Sequence, residues 1–112
     1  DARETPGTVV LRLEAAIFFA NADEIRQSVT GSIGPDTKAI VLDVETVPFI
    51  DVTGAYMLES LADELERRHI RLALARGIGQ VEDMLEETGV GSLLKNSFVS
   101  IEQAVEGVRP GG

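Results

Sequence analysis

The run Ala39-Ile40-Val41-Leu42-Asp43-Val44 sets the strongest limit on the fold. Only Asp43 interrupts it. A strand with one wet face alternates apolar and polar residues, because successive side chains point to opposite sides. A run without alternation reads as a strand buried on both faces, as in a parallel sheet covered by helices. The 112 residues suffice for one domain with one core. With no Trp and one Tyr, that core must be filled by Leu, Val, Ile and Ala.

The rest of the chain arranges itself around this strand. Val9 to Leu13 reads as a first strand, with Val9, Leu11 and Leu13 on one face. Ala15 to Phe19 is expected as a second short strand, antiparallel to the first. Asn21 opens a helix, and Glu24 three residues on completes a capping-box-like pattern. Ala22, Ile25 and Val29 share its inner face, and Gly31 to Pro35 ends it. Pro48 biases Val47 toward an extended conformation. Thr53 to His69 forms the longest helix, with Leu58, Leu61, Ala62 and Leu65 as its buried stripe. Asp63 with Arg67, and Glu64 with Arg68, are spaced as i,i+4 ion pairs.

Ile70 to Ala75 is the next strand. Gly79 starts a helix with Val81, Met84 and Leu85 inward and Gly89 as its C-terminal cap. Phe98-Val99 is a last short strand. Ser100 with Gln103 caps a final helix carrying Ala104, Val105 and Val108. This alternation predicts an α/β fold: a single domain with a mixed, mostly parallel sheet and helices packed against it. Residues 1–7 read as a linker, 8–108 as the domain and 109–112 as a flexible tail.

Charge and composition exclude several functions. The net charge of −9 repels phosphate backbones and anionic headgroups, so neither nucleic acid nor direct membrane insertion of this segment is expected. There is no cysteine, which removes thiol catalysis, disulfides and thiolate metal sites. No apolar run reaches the roughly 18 residues of a membrane span, and no signal peptide is visible. His69 is the single histidine and reads as an exposed residue at a helix end. Glu59, Glu64, Glu66, Glu82, Asp83 and Glu86 fall on solvated helix faces. No metal-ligand spacing occurs. Gly77-Ile78-Gly79 is a fragment of a dinucleotide fingerprint, with Glu82 where the third Gly belongs. A receiver domain wants an acidic pair after its first strand and a late Lys; Glu14-Ala15-Ala16 and Lys95 match poorly. The chain is expected to be no enzyme, and to require no cofactor.

In an open parallel sheet, sites gather where strand C-termini meet helix N-termini. Three loops meet that condition: Phe18 to Asp23, Phe49 to Gly54 and Arg76 to Gln80. Each runs into a helix start, whose unpaired N–H groups favour an anion. Asp51 and Thr53 can both accept from first-turn amides, which is ordinary N-capping. A Thr53 hydroxyl at an exposed helix start could also carry a phosphate among amide donors.

The stretch Ile50-Asp51-Val52-Thr53-Gly54 resembles the Asp-Ser-Ser-Gly loop of anti-sigma-factor antagonists, the founding STAS proteins. Phe18-Phe19-Ala20-Asn21-Ala22 looks still more like the matching stretch of SulP sulfate-permease-type transporters, whose STAS domain follows the membrane domain. The resemblance implies a non-catalytic regulatory domain of a SulP-like anion transporter, on the cytoplasmic side of the cell membrane. Its partners would be the transmembrane domain of the same transporter, a second STAS domain or a cytosolic protein. The switch and interaction loop would be Asp51, Val52, Thr53 and Gly54. The resemblance also implies a nucleotide, GTP or ATP, near Phe19, Asn21, Thr53, Arg76, Gly77 and Gly79, with Mg²⁺ offsetting repulsion by Asp51. The alternative is a soluble anti-sigma-factor antagonist switched by phosphorylation at Thr53. There, Thr replaces the antagonists' phosphorylated Ser, and Val52 replaces the first Ser of the loop.

Overall fold

A strand that is apolar on both sides must lie inside a sheet, and Ala39–Asp43 does. The structure, a computed structural model, describes residues 6–77, 79–88, 93 and 95–109. Its four strands are β1 (Thr8–Arg12), β2 (Ala39–Asp43), β3 (Arg71–Ala75) and β4 (Ser97–Phe98). They lie in the order β1-β2-β3-β4, and every neighbouring pair is parallel. All residues of β2 are buried, Asp43 included. The register sets Val10, Val41 and Ala73 side by side on one face.

The antiparallel strand expected at Ala15–Phe19 does not form. Ile17 alone pairs there, in an isolated parallel bridge to Ile50. The reason is local. Asn21 Oδ1 accepts from the Phe18 N–H at 3.0 Å and Nδ2 donates to the Ala16 carbonyl at 2.7 Å. These bonds curl the segment into a turn before it can run back along β1.

Four helices are described: α1 (Ala22–Gly31), α2 (Val52–Arg67), α3 (Gln80–Glu87) and α4 (Ile101–Gly107). The first three cover one face of the sheet. Leu58, Leu61 and Leu65 of α2 are fully buried against Ile40, Leu42, Leu72 and Leu74. Val29 of α1 and Val81 and Leu85 of α3 complete this core. Burying one Leu stabilises by about 1.5–3 kcal/mol, so the α2 stripe anchors the layer. The other face carries Ala39, Val41, Ala73 and Ala75, against which α4 sets Ala104, Val105 and Val108. Three of those four sheet residues are alanines, which lets a helix of two turns lie close.

The helix ends follow the sequence expectation in part. Ser100 Oγ accepts from the Gln103 N–H at 3.0 Å and starts α4. Glu64 and Arg68 pair at 3.9 Å, and Glu64 also binds Arg26 of α1. Asp63 and Arg67 do not pair; exposed pairs gain little against side-chain entropy. Asn21 stands at the N-cap of α1 but makes no cap hydrogen bond with its side chain, which the preceding turn has taken. The expected cap at Gly89 and the end of the tail, Pro110 to Gly112, lie outside the described residues.

Candidate functional site

Parallel strands and right-handed crossovers bring three loops to one edge of the sheet, and hydrogen bonds stitch them together. Asp51 is the first stitch. Its Oδ1 accepts from the Gly54 N–H at 2.7 Å and so caps α2. Its Oδ2 accepts from the Phe19 N–H at 3.0 Å, across 32 residues of chain. The backbones are joined as well. The Ile17 N–H donates to the Phe49 carbonyl at 3.1 Å, and the Asp51 N–H donates to the Ile17 carbonyl at 3.1 Å.

Gly54 is fixed by the same contact. A Cβ there would stand 2.4 Å from the Ile17 carbonyl oxygen, closer than any side chain tolerates. Asp51 and Gly54 are thus occupied by structure: one caps and bridges, the other permits close approach. Val52 and Thr53, between them, are exposed. The Thr53 hydroxyl makes no hydrogen bond to another described residue; the N-capping acceptor is Asp51 alone.

Aromatic side chains surround this loop. Phe18 meets Phe19 edge-on at 5.6 Å between ring centroids and Phe49 at 5.8 Å. Phe19 is 74% exposed, Tyr56 56%, Val52 47% and Phe49 43%. Large apolar groups left in water in one place mark an interaction surface more often than a packing defect.

The third loop is tied in by a side chain. Gln80 Oε1 accepts from the Ile50 N–H at 2.9 Å, while its Nε2 donates to the Ile50 carbonyl at 3.0 Å. Gly79 precedes it with φ +54°, in the left-handed region that glycine enters freely. Gly77 is buried against Val44.

Arg76 turns inward. Its Nε donates to Asp43 Oδ1 at 3.2 Å, a terminal nitrogen donates to Oδ2 at 2.5 Å, and the other pairs with Glu45 at 3.1 Å. Its φ of +65° is rare for a side-chain-bearing residue. Its N–H donates to the Phe98 carbonyl at 2.8 Å, so the turn is held by the sheet. Asp43 is only 2% exposed. Burial pushes its carboxyl up, but the Arg76 hydrogen bonds, the Glu45 N–H and the charges of Arg76 and Arg12 outweigh burial and hold it below the ordinary value. The Asp43 bond in turn raises Arg76.

Phe19 and Gly54 are therefore joined through Asp51, Asn21 holds the turn that carries Phe19, and Arg76 faces the end of β2. Sequence reasoning placed Phe49 and Gln80 in the edge loops without giving either a role, and it missed the Asp43–Arg76 pair. The signal for the pair was present, since an acid inside an apolar strand needs a charged partner.

A pocket of about 140 Å³ opens at the opposite edge, lined by Asp63, Glu66, Arg71 and Asn96 among others. Among the described residues, no cluster of three or more His, Asp or Glu could hold a metal ion, and no helix is long and apolar enough to cross a membrane.

The STAS domain family model matches residues 1–104. A probable sulfate transporter of Mycobacterium tuberculosis is 32% identical over 116 residues, covering 96% of this chain and 20% of its own length. The SulP transporter STAS domain of Vibrio cholerae superposes with a TM-score of 0.73 at 27% identity, covering 95% of this chain and 84% of that one. A putative anti-sigma-factor antagonist of Thermotoga maritima gives a TM-score of 0.80 over 96% of this chain and 92% of that one; its 20% identity speaks for the fold alone. The chain spans about a fifth of the length of the curated sulfate transporters it matches, 18% of one from Arabidopsis thaliana. With the family model spanning most of its length and the parallel sheet in agreement, this chain belongs to the STAS domain family.

Proposed function

We propose that this chain is the non-catalytic regulatory domain of a SulP-type anion transporter, held on the cytoplasmic side of the membrane. It modulates transport by docking through the face around Val52 and Thr53. The observation that carries this reading is the division of labour in the Asp51–Gly54 loop. Asp51 and Gly54 are consumed by structure, while Val52 and Thr53 stand exposed beside exposed aromatics. Such a loop offers a rigid, partly apolar surface and no evident base or nucleophile pair. The relatives are named sulfate transporters, which makes sulfate the first anion to try.

The test joins gene and transport. The full gene product should carry several apolar spans of roughly 20 residues each, and deleting this domain should change uptake of labelled sulfate. A full product without such spans overturns the reading.

A second reading, an antagonist switched at Thr53, is favoured by the fold likeness and by the exposure of Thr53 on the second residue of α2. It requires a partner kinase, and no phosphate on Thr53 after incubation with that kinase and ATP would overturn it. A nucleotide phosphate at these helix starts has less support. Arg76, the nearest cation of the three loops, is already held by Asp43 and Glu45.

A further inference from the structure

We infer that the face formed by Phe19, Phe49, Val52 and Tyr56 receives a basic amphipathic segment of the membrane domain. This deepens the transporter reading above and rests on it.

The first observation is apolar. Four large side chains, on loops and a helix start that meet at one end of the sheet, are left in water. Phe18 touches both Phe19 and Phe49. The Phe19 N–H is bonded to Asp51, the residue before Val52, and Tyr56 follows Val52 by one helical turn. The surface is also stiff, because Asp51, Asn21 and Gln80 each fasten one part of it to another. A stiff apolar surface spends little entropy on binding.

The second observation is charge. The face is built from residues 13–25 and 44–56, and neither stretch holds a Lys, Arg or His. Of its acids, Glu14 pairs with Arg12 and Glu45 with Arg76, which leaves Asp23, Glu24 and Asp51 without a basic partner among the described residues. Asp23 and Glu24 are exposed in the first turn of α1, next to Phe19. An apolar patch with an acidic border selects a partner with an apolar stripe and a basic border. It repels anionic lipid and free phosphate. Cytoplasmic segments of membrane proteins carry an excess of Lys and Arg, so a domain held beside a membrane meets that partner first.

The test uses the 112-residue chain and three synthetic peptides of roughly 18 residues, about five helical turns. One is a Leu/Lys amphipathic helix, one its Leu/Glu counterpart, and one a scrambled Leu/Lys peptide with no apolar face. Backbone amide resonances are followed during titration. The Leu/Lys helix should shift Phe19, Phe49, Val52 and Tyr56, more weakly as salt rises. The Leu/Glu peptide should shift none of them, and the scrambled one should bind less well. Phe19→Ser and Val52→Ser, both exposed and therefore compatible with folding, should each weaken binding by about tenfold, as loss of an apolar anchor does.

Shifts spread over the acidic helix surfaces without the aromatic face would overturn the inference. So would equal binding by both variants. Self-association of the chain through these residues in sedimentation would give the face to a second copy and also overturn it. The transporter reading is judged separately by the apolar spans and sulfate uptake. A transporter gene with no peptide binding sinks only the present inference. Binding without upstream spans sinks the membrane-domain partner.

Discussion

The side-chain amide of Gln80 takes both backbone groups of Ile50, standing where a neighbouring strand would otherwise lie. Ile50 pairs with Ile17 on its other side, as a one-residue continuation of the sheet. β3 ends at Ala75, and among the described residues no backbone group bonds Ile50 from that side. A carboxamide has the donor and acceptor of a peptide group and can replace one.

Gln80→Ala should therefore leave a buried N–H and C=O without partners. The expected loss is about 1–3 kcal/mol, read from urea denaturation. Gln80→Glu should also destabilise, since a carboxylate cannot donate to the Ile50 carbonyl. In both variants the Ile50 amide should exchange with solvent faster than in the parent.

Asp51→Ala removes the cap of α2 and the acceptor for the Phe19 N–H together. The cap alone is worth about 1 kcal/mol, so a larger loss is expected. Asp51→Asn should be milder, because its one carbonyl oxygen can still serve one of the two donors. The thermal midpoints should fall in the order parent, Asn, Ala.

Two glycine substitutions should move stability in opposite directions. Gly54→Ala drives a methyl into the Ile17 carbonyl, and overpacking of this kind costs about 1–3 kcal/mol. Gly31→Ala, at the end of α1, meets nothing within 4 Å and keeps a negative φ. It should stabilise by about 0.4–1 kcal/mol by restricting the unfolded chain. Equal effects would contradict the close approach at Ile17.

Acid should weaken the fold partly through Asp43. Its folded value lies below the ordinary 3.8, so the folded state binds its proton less readily than the unfolded chain. Its contribution is present above the unfolded value and is lost as the pH falls through the folded value. Urea midpoints measured below about pH 5 should therefore decline. Asp43→Asn should lower the midpoint at neutral pH and flatten that acid decline.

The legible parts of the fold were those where one physical demand dominates. β2 was readable because continuous apolar residues allow only burial, and α2 because Leu58, Leu61 and Leu65 recur at helical spacing. Ala15–Phe19 was not, because its fate depends on whether Asn21 spends its side chain on the helix that follows or the turn that precedes it. Local spacing favours both equally. Asp43–Arg76 and Gln80–Ile50 join residues 33 and 30 positions apart. No window of sequence contains either pair until the strand order is known. The loop Asp51–Gly54 was legible as a motif, but the separation of its structural from its exposed members needed the Ile17 contact.

The carboxylate of Asp51 also has a mechanical meaning. It ties the turn before α1 to the first turn of α2, and the backbone of Ile17 closes the same joint. Load applied at Thr53 or Phe19 therefore passes straight into the sheet instead of being absorbed by a yielding loop. A domain built this way behaves as a strut: whatever presses on one end displaces the whole body.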